Sequence, residues 1–452
     1  MSVDATFVIL GATGDLARRK LIPALYRLVL DGHVRSFHVA LAARRRVAVQ
    51  EVLGGALPFI GEVESRAWNR LSKNASYHVV DFEKGEGFED LCSSIAKKKG
   101  VRVFYLATLP EHFEKITKSL KQSGSVRPED RVMFEKPFGH DRSSARKLNS
   151  VLHSLFSERQ LFRVDHYLGK ELVENIVVLR FANKVFGPLW NRNGVESIQV
   201  ILSETVGMEG RRGSFYDRQG ALRDVVQSHM LQLLALVTMD EPASLQGDSL
   251  RMAKAAILAK LRVKDVLLGQ YEGYIREAGV AKASRTETFA ALHLELQHPS
   301  WRRVPLLLVT GKCLDKKETA VHISFRRVPC RFASCPEETN AVSIHVQPKP
   351  QVVLTLNAKV PGLDGGIAPV PLAFDYEYAF GPNTPVAYET LLLSVLHGRN
   401  ETFVHAREVD ESWRVIDAAR RLPARIHHYK KGSSGPLALR VWKRSKQVRW
   451  KI

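Results

Sequence analysis

Cysteine is scarce in this chain. Only Cys92, Cys313, Cys330 and Cys335 occur in 452 residues. That is too few for a disulfide scaffold, so a reducing compartment is the expectation and Cys330 with Cys335 reads as incidental. Long apolar runs are missing too. No eighteen consecutive apolar residues occur, which excludes a membrane-spanning helix on sequence grounds. No basic start followed by an apolar core and a cleavage site opens the chain, so its first ten residues read as a strand, not a signal peptide. Acidic residues are outnumbered, 47 against 67 Lys plus Arg, for a net charge of +20. That excess suits an anionic small substrate or a nucleic acid. No helix-turn-helix, zinc or RNA-recognition motif is present, so no nucleic-acid partner and no membrane partner are expected. The four cysteines and sixteen histidines show no ligand spacing, so no metal is expected either. What is present is ordinary. Apolar residues make up 45% and charged residues 25%, which argues against disorder as the main state. The length suggests two or more domains.

Apolar runs alternate with amphipathic stretches through the first third of the chain. Candidate strands are 6–10, 37–41, 77–80, 102–107, 131–135 and 161–164. Nearly continuous apolar strands are those of a parallel sheet covered on both faces. The first helical stretch puts Leu21, Leu25 and Leu28 on one face. This predicts a doubly wound, Rossmann-like α/β domain over 1–170. After about residue 180 the period becomes two. Ile198, Val200 and Leu202, then Val321, Ile323 and Phe325, then Val342, Ile344 and Val346, then Val352, Leu354 and Leu356 alternate with their neighbours. Such strands predict an α+β domain over 171–452 with a mainly antiparallel sheet buried on one face. The tail from Tyr429 is basic and reads as loop around 432–436.

Gly11, Ala12, Thr13, Gly14, Asp15 and Leu16 follow the first strand and open the first helix. Gly11 allows a tight turn, Gly14 admits a pyrophosphate, and a helix N-terminus attracts its charge. The alternative is a glycine-rich turn with no ligand. At the end of the second strand an NAD domain usually has a carboxylate, but here stand Arg44, Arg45 and Arg46. Guanidinium groups there favour a 2′-phosphate, hence NADP as cofactor. The alternative is an exposed basic loop.

Asp165, His166, Tyr167 and Lys170 crowd the turn where a strand gives way to a helix. His166, Tyr167 and Lys170 could together hold a phosphate dianion; a helix cap with scattered polar residues remains open. Lys136, in Glu-Lys-Pro-Phe-Gly, follows another strand. His229 lies on the apolar side of its helix, four residues from Val225 and from Leu233. It is either a packed core histidine or a base held by a carboxylate.

Gly-Ala-Thr-Gly-Asp-Leu-Ala, Glu-Lys-Pro-Phe-Gly, Arg-Val-Asp-His-Tyr-Leu-Gly-Lys-Glu and Leu-Arg-Asp-Val-Val-Gln-Ser-His occur in that order. Together with Gly269-Gln270-Tyr271, Thr286-Glu287-Thr288-Phe289 and Thr310-Gly311-Lys312, they make the chain resemble the glucose-6-phosphate dehydrogenase family over nearly its whole length. The resemblance implies oxidation of glucose 6-phosphate to the lactone with NADP, the first step of the oxidative pentose phosphate pathway, in the cytoplasm. It implies a homodimer or a dimer of dimers. It implies His229 as general base with Asp165 as its partner, and His166, Tyr167 and Lys170 on the phosphate. Lys20, Lys136, Glu204, Asp224, Lys312 and Lys317 match substrate contacts. Gly11 to Leu16, Arg44 and Lys136 match cofactor contacts. Several positions depart from the family pattern. Ser228 stands for an asparagine, Phe113 for a tyrosine, and Val309 and His345 for arginines. Some relatives hold a second NADP through such arginines, so one NADP per chain is expected here.

Overall fold

The computed structural model describes residues 2–451 except 125, 209–212, 333–334, 339, 363–365, 382–384 and 447. The chain forms two compact units. The first holds Met1–Lys170, Pro242–Met252 and Pro385–Asp410; the second holds Glu171–Glu241, Ala253–Thr384 and Glu411–Ile452. Two late segments of the range 171–452 thus pack with the first unit. For the later of the two the physical reason is the helix Ala387–His397. Its Leu391, Leu392, Val395 and Leu396 complete the core formed by Phe7, Ile9, Leu25, Val39 and Val103.

In the first unit six parallel strands lie in the order β3-β2-β1-β4-β5-β6. They are β1 (Val3–Leu10), β2 (Val34–Ala43), β3 (Ala75–Val79), β4 (Val101–Leu106), β5 (Arg131–Phe134) and β6 (Leu161–Arg163). The order reverses direction between β1 and β4, which is where doubly wound folds bind ligands. Register brings Ala42, Leu10, Leu106, Phe134 and Arg163 into one row, so the residues after them share one edge of the sheet.

The second unit contains a nine-stranded sheet. Its strands are β7 (Val195–Ser203), β8 (Leu261–Tyr271), β9 (Phe289–Leu296), β10 (Leu306–Gly311), β11 (Glu318–Phe325), β12 (Ala341–Gln347), β13 (Gln351–Lys359), β14 (Ile367–Asp375) and β15 (Ile426–Tyr429). The order is β14-β13-β12-β11-β7-β10-β9-β8-β15. Neighbours are antiparallel except β7 with β10 and β8 with β15. Three expectations need correction. The central strands are buried on both faces: Gln199, His322 and Ser324 are as buried as the apolar residues beside them. The tail supplies cover on one face, because Lys451 donates its N–H to the Gln199 side-chain oxygen at 3.1 Å. The tail turns at 432–436 as expected, but it then forms a helix that the sequence reading lacked. Helix Ala438–Ser445 buries Leu439 and Trp442 against Tyr271, Phe289 and Tyr429. Finally, Cys330 and Cys335 are joined as a disulfide in the β11–β12 connection. Their Cα atoms stand 5.9 Å apart, within bridging reach. No helix among the described residues is long and apolar enough to cross a membrane.

Candidate active site

The edge where β1, β2, β4, β5 and β6 end carries the nucleotide and turn motifs. Gly11 adopts φ +96°, and a Cβ there would lie 2.5 Å from the Ala107 carbonyl oxygen. Only glycine combines that backbone with that approach. The Gly11 and Ala12 N–H groups donate to the Ala42 carbonyl at 2.8 and 3.1 Å, and Gly14 N–H donates back to Gly11 at 2.9 Å. The turn therefore ends on a helix start, whose first N–H groups lack intrahelical partners and attract anions. The helix opens with a π-wound turn, Ala17–Leu21, on which Lys20 is exposed. Asp15 is paired with Arg18 at 3.0 Å. Arg44 is exposed just past β2, with Arg45 and Arg46 exposed beside it.

Lys136 and Asp165 each stand two residues beyond the paired positions Phe134 and Arg163. Asp165 is 2% exposed, and its carboxylate accepts the Tyr167 N–H at 3.0 Å. Leu168 N–H donates to the Asp165 carbonyl and Lys170 N–H to that of Tyr167, which closes the turn. The Lys170 ammonium lies 4.2 Å from the centre of the buried Tyr167 ring. The turn is backed by helix Ala387–His397: a Cβ on Gly169 would meet the Ala387 carbonyl oxygen at 2.6 Å. His166 and Tyr388 of that helix have parallel rings, centres 6.4 Å apart.

One group here escaped sequence reasoning. Glu135 accepts hydrogen bonds from the hydroxyls of Tyr105 at 2.5 Å and Tyr388 at 3.0 Å. Burial pushes its carboxyl above the ordinary value, against the pull of both tyrosines and of Lys136. The Glu-Lys-Pro motif pointed at this position, but nothing in it named partners that lie far away in the chain.

In the second unit, Ser203 pairs with Gly311 and with Glu318. Register therefore puts Glu204, Lys312 and Lys317 at one edge of the nine-stranded sheet. Glu204 N–H donates to the Gly311 carbonyl at 2.9 Å, and its carboxylate is ion-paired with Lys312. Lys317 is exposed. Asp224 opens the π-wound helix Leu222–Met230, and His229, 4% exposed, lies near its far end. Ser228, in place of asparagine, donates to the Asp224 carbonyl at 2.9 Å. The buried Tyr216 phenol is pushed far above its ordinary value by burial, then by the negative charges of Asp224 and Glu287 and, more weakly, of Glu204. Val309 is packed in the core of this unit, and His345 lies 3.6 Å from Glu318, so neither offers what an arginine would. Asp165 and His229 belong to different units.

Similarity to known proteins runs along the whole chain. Residues 8–175 match the family described as "Glucose-6-phosphate dehydrogenase, NAD binding domain", and residues 177–451 match its C-terminal domain. Glucose-6-phosphate 1-dehydrogenase of Chlamydia pneumoniae is 36% identical over 95% of this chain and 92% of its own. Glucose-6-phosphate 1-dehydrogenase 2 of Mycobacterium bovis is 39% identical over 91% of this chain and 87% of its own. A solved glucose-6-phosphate dehydrogenase in complex with its substrate glucose-6-phosphate superposes with TM-score 0.92 at 32% identity, covering 100% of both chains. The crystal structure of the Mycobacterium avium enzyme gives TM-score 0.89 at 34% identity, covering 100% of this chain and 99% of its own. The chain belongs to the glucose-6-phosphate dehydrogenase family.

Proposed function

We propose that the oxidation of glucose 6-phosphate with NADP, the activity of this chain's family, runs here through His229 as the base that takes the C1 hydroxyl proton and Asp165 as its carboxylate partner. Loss of hydride from a hemiacetal carbon leaves positive charge unless that proton departs too. A base with pKa near neutrality serves best, which suits imidazole. A nearby carboxylate stabilises the imidazolium that forms. His166, Tyr167 and Lys170 hold the phosphate dianion. Lys20, Lys136, Glu204, Asp224, Lys312 and Lys317 contact the sugar phosphate. The observation that carries this reading is the buried Asp165 carboxylate at the head of the Asp-His-Tyr-Leu-Gly-Lys-Glu turn, in a chain matched by the family from residue 8 to residue 451.

The residues present fit the dinucleotide. Gly11 holds a turn closed against backbone, a helix start lies behind it, and the end of β2 offers the exposed Arg44 guanidinium. Gly11, Ala12, Thr13, Gly14, Asp15 and Leu16 would meet the pyrophosphate, and Arg44 the 2′-phosphate. When bound, NADP accepts the hydride from C1.

Lys170→Ala tests the phosphate assignment. A charge-assisted hydrogen bond is worth about 1.5–3 kcal/mol. The KM for glucose 6-phosphate should therefore rise roughly ten- to a hundredfold, while that for unphosphorylated glucose stays near its starting value. Steady-state assays at the reduced-nicotinamide absorbance band read both. Equal losses for the two sugars would remove Lys170 from the phosphate site.

A homodimer or dimer of dimers completes the proposal. Strand β14 is a sheet edge, and Val370, Leu372 and Phe374 on it are exposed together with Leu356 of β13. Leu356 pairs with Val370, and Val352 with Phe374, so these side chains share one face. An exposed apolar patch of this kind marks an interface. Light scattering should give at least twice the mass of one chain, and Leu372→Glu should shift it toward the single-chain mass. An unchanged assembly in that variant would place the interface elsewhere. A cytoplasmic location belongs to the same reading, and cell fractionation tests it.

A further inference from the structure

Thr286-Glu287-Thr288-Phe289 carries part of the family resemblance yet has no place in the chemistry above. It lies directly before and at the start of β9. The Glu287 side chain accepts the Leu222 N–H at 3.1 Å, and the Glu287 carbonyl accepts the Ala221 N–H at 2.9 Å. These amides belong to the start of the helix that bears Asp224 and His229. A helix start leaves N–H groups without intrahelical partners, and an outside acceptor there fixes where the first turn begins.

Gly220 gives independent support. Its backbone sits at φ 66°, ψ 177°, a region open to glycine almost alone. A Cβ there would lie 2.4 Å from Glu287 Oε1. The chain is therefore bent beside the carboxylate, and the bend admits no side chain. The next residue ties down the facing edge. The Thr288 carbonyl accepts the Lys312 N–H at 3.0 Å, and the Thr288 hydroxyl accepts the Tyr271 N–H at 2.9 Å. Tyr429 donates its hydroxyl to the Lys312 carbonyl at 2.7 Å. Two consecutive residues thus hold the start of the His229 helix and the backbone of Lys312.

We propose that Glu287 is a positioning residue for sugar oxidation, which fixes the start of helix Leu222–Met230 and through it the placement of Asp224 and His229. This rests on the roles assigned to those two residues above. The need is for an acceptor rather than a charge. Desolvation pushes the Glu287 carboxyl up, while the Leu222 N–H, Arg223 and Arg420 pull it down.

Glu287→Ala removes the acceptor, and Glu287→Gln keeps an oxygen in its place. In the alanine variant kcat/KM for glucose 6-phosphate should fall about 2- to 30-fold, the range of a lost helix cap. The KM for NADP should not move, and amide exchange at Leu222 should accelerate. Glutamine should restore all three readouts. If the alanine variant does not fold, Glu287→Asp, which keeps the carboxylate but draws it back by one methylene, should reproduce the kinetic split. Wild-type kcat/KM with slow Leu222 exchange in the alanine variant would overturn the proposal. So would a glutamine variant as impaired as alanine, or a KM for NADP that rises in step. Failure of the underlying reading is seen separately, as normal turnover in His229→Asn, and leaves the Leu222 exchange result standing.

Discussion

His229→Asn should turn over about 10²–10⁴-fold more slowly than the parent chain, the usual loss when a general base is removed. An amide cannot accept the C1 hydroxyl proton at neutral pH, so hydride loss would have to proceed with water as base. The change is otherwise mild. Asparagine is smaller and polar, and the site lies near the end of a helix whose start is held at Leu222. Folding should survive. Binding of glucose 6-phosphate should survive too, because His166, Tyr167 and Lys170 stand on a separate turn after β6. Calorimetric titration with the sugar phosphate and a single-turnover assay together read both halves of the expectation. Turnover near that of the parent would remove His229 from the chemistry.

Asp130→Ala should destabilise the first unit by about 3–5 kcal/mol, the cost of breaking a buried ion pair by removing one partner. Arg102 on β4 donates from Nε to Asp130 Oδ1 at 2.9 Å, and its guanidinium also meets the second carboxylate oxygen. Both side chains are 1% exposed. Asp130 further accepts the Arg127 N–H at 2.7 Å just before β5 begins. Removing the carboxylate takes away the anion that two guanidinium nitrogens meet at a site shielded from water. Whole domains are stable by only about 5–15 kcal/mol, so the loss is a large fraction. Replacing both partners by apolar residues of similar volume should cost far less, since the desolvation penalty goes with the pair. Urea unfolding followed by NADP binding measures the difference. A shift of under about 1 kcal/mol in the alanine variant would mean that water or another group compensates Arg102.

The six strands of the parallel sheet could be read in the sequence because each is a short apolar run with turn chemistry at its ends. Burial on both faces erases alternation and leaves a clear block. The nine-stranded sheet was harder. Period two in Ile198, Val200 and Leu202 gives a strand, but it does not tell that Gln199 between them is also buried beneath the tail. Nor does it tell that β10 runs parallel to β7. The helix Ala387–His397 carries a plain apolar face, yet a face does not name the core it joins. Leu391 and Val395 proved to complete the sheet at the other end of the chain. At the site, Asp165 and its turn were legible because their spacing is local. Tyr388 on Glu135 was not, since the two lie 253 residues apart. Cys330 and Cys335 read as incidental, because a spacing of five does not tell that the β11–β12 connection brings them within bridging reach.

The division of the first unit among three stretches of chain bears on how the protein is made. Its sheet is complete once residue 163 has been synthesised, but the helix that closes its core begins at Ala387. At about 5–20 residues per second, a ribosome needs roughly 10–50 s to travel from the end of that sheet to residue 410. During that interval the nascent sheet presents the apolar surface meant for Leu391, Leu392, Val395 and Leu396. Vectorial folding, with the amino-terminal half finished before the rest appears, is therefore closed to this chain. Its cofactor half is translated first, yet it cannot be completed until most of the chain has been made.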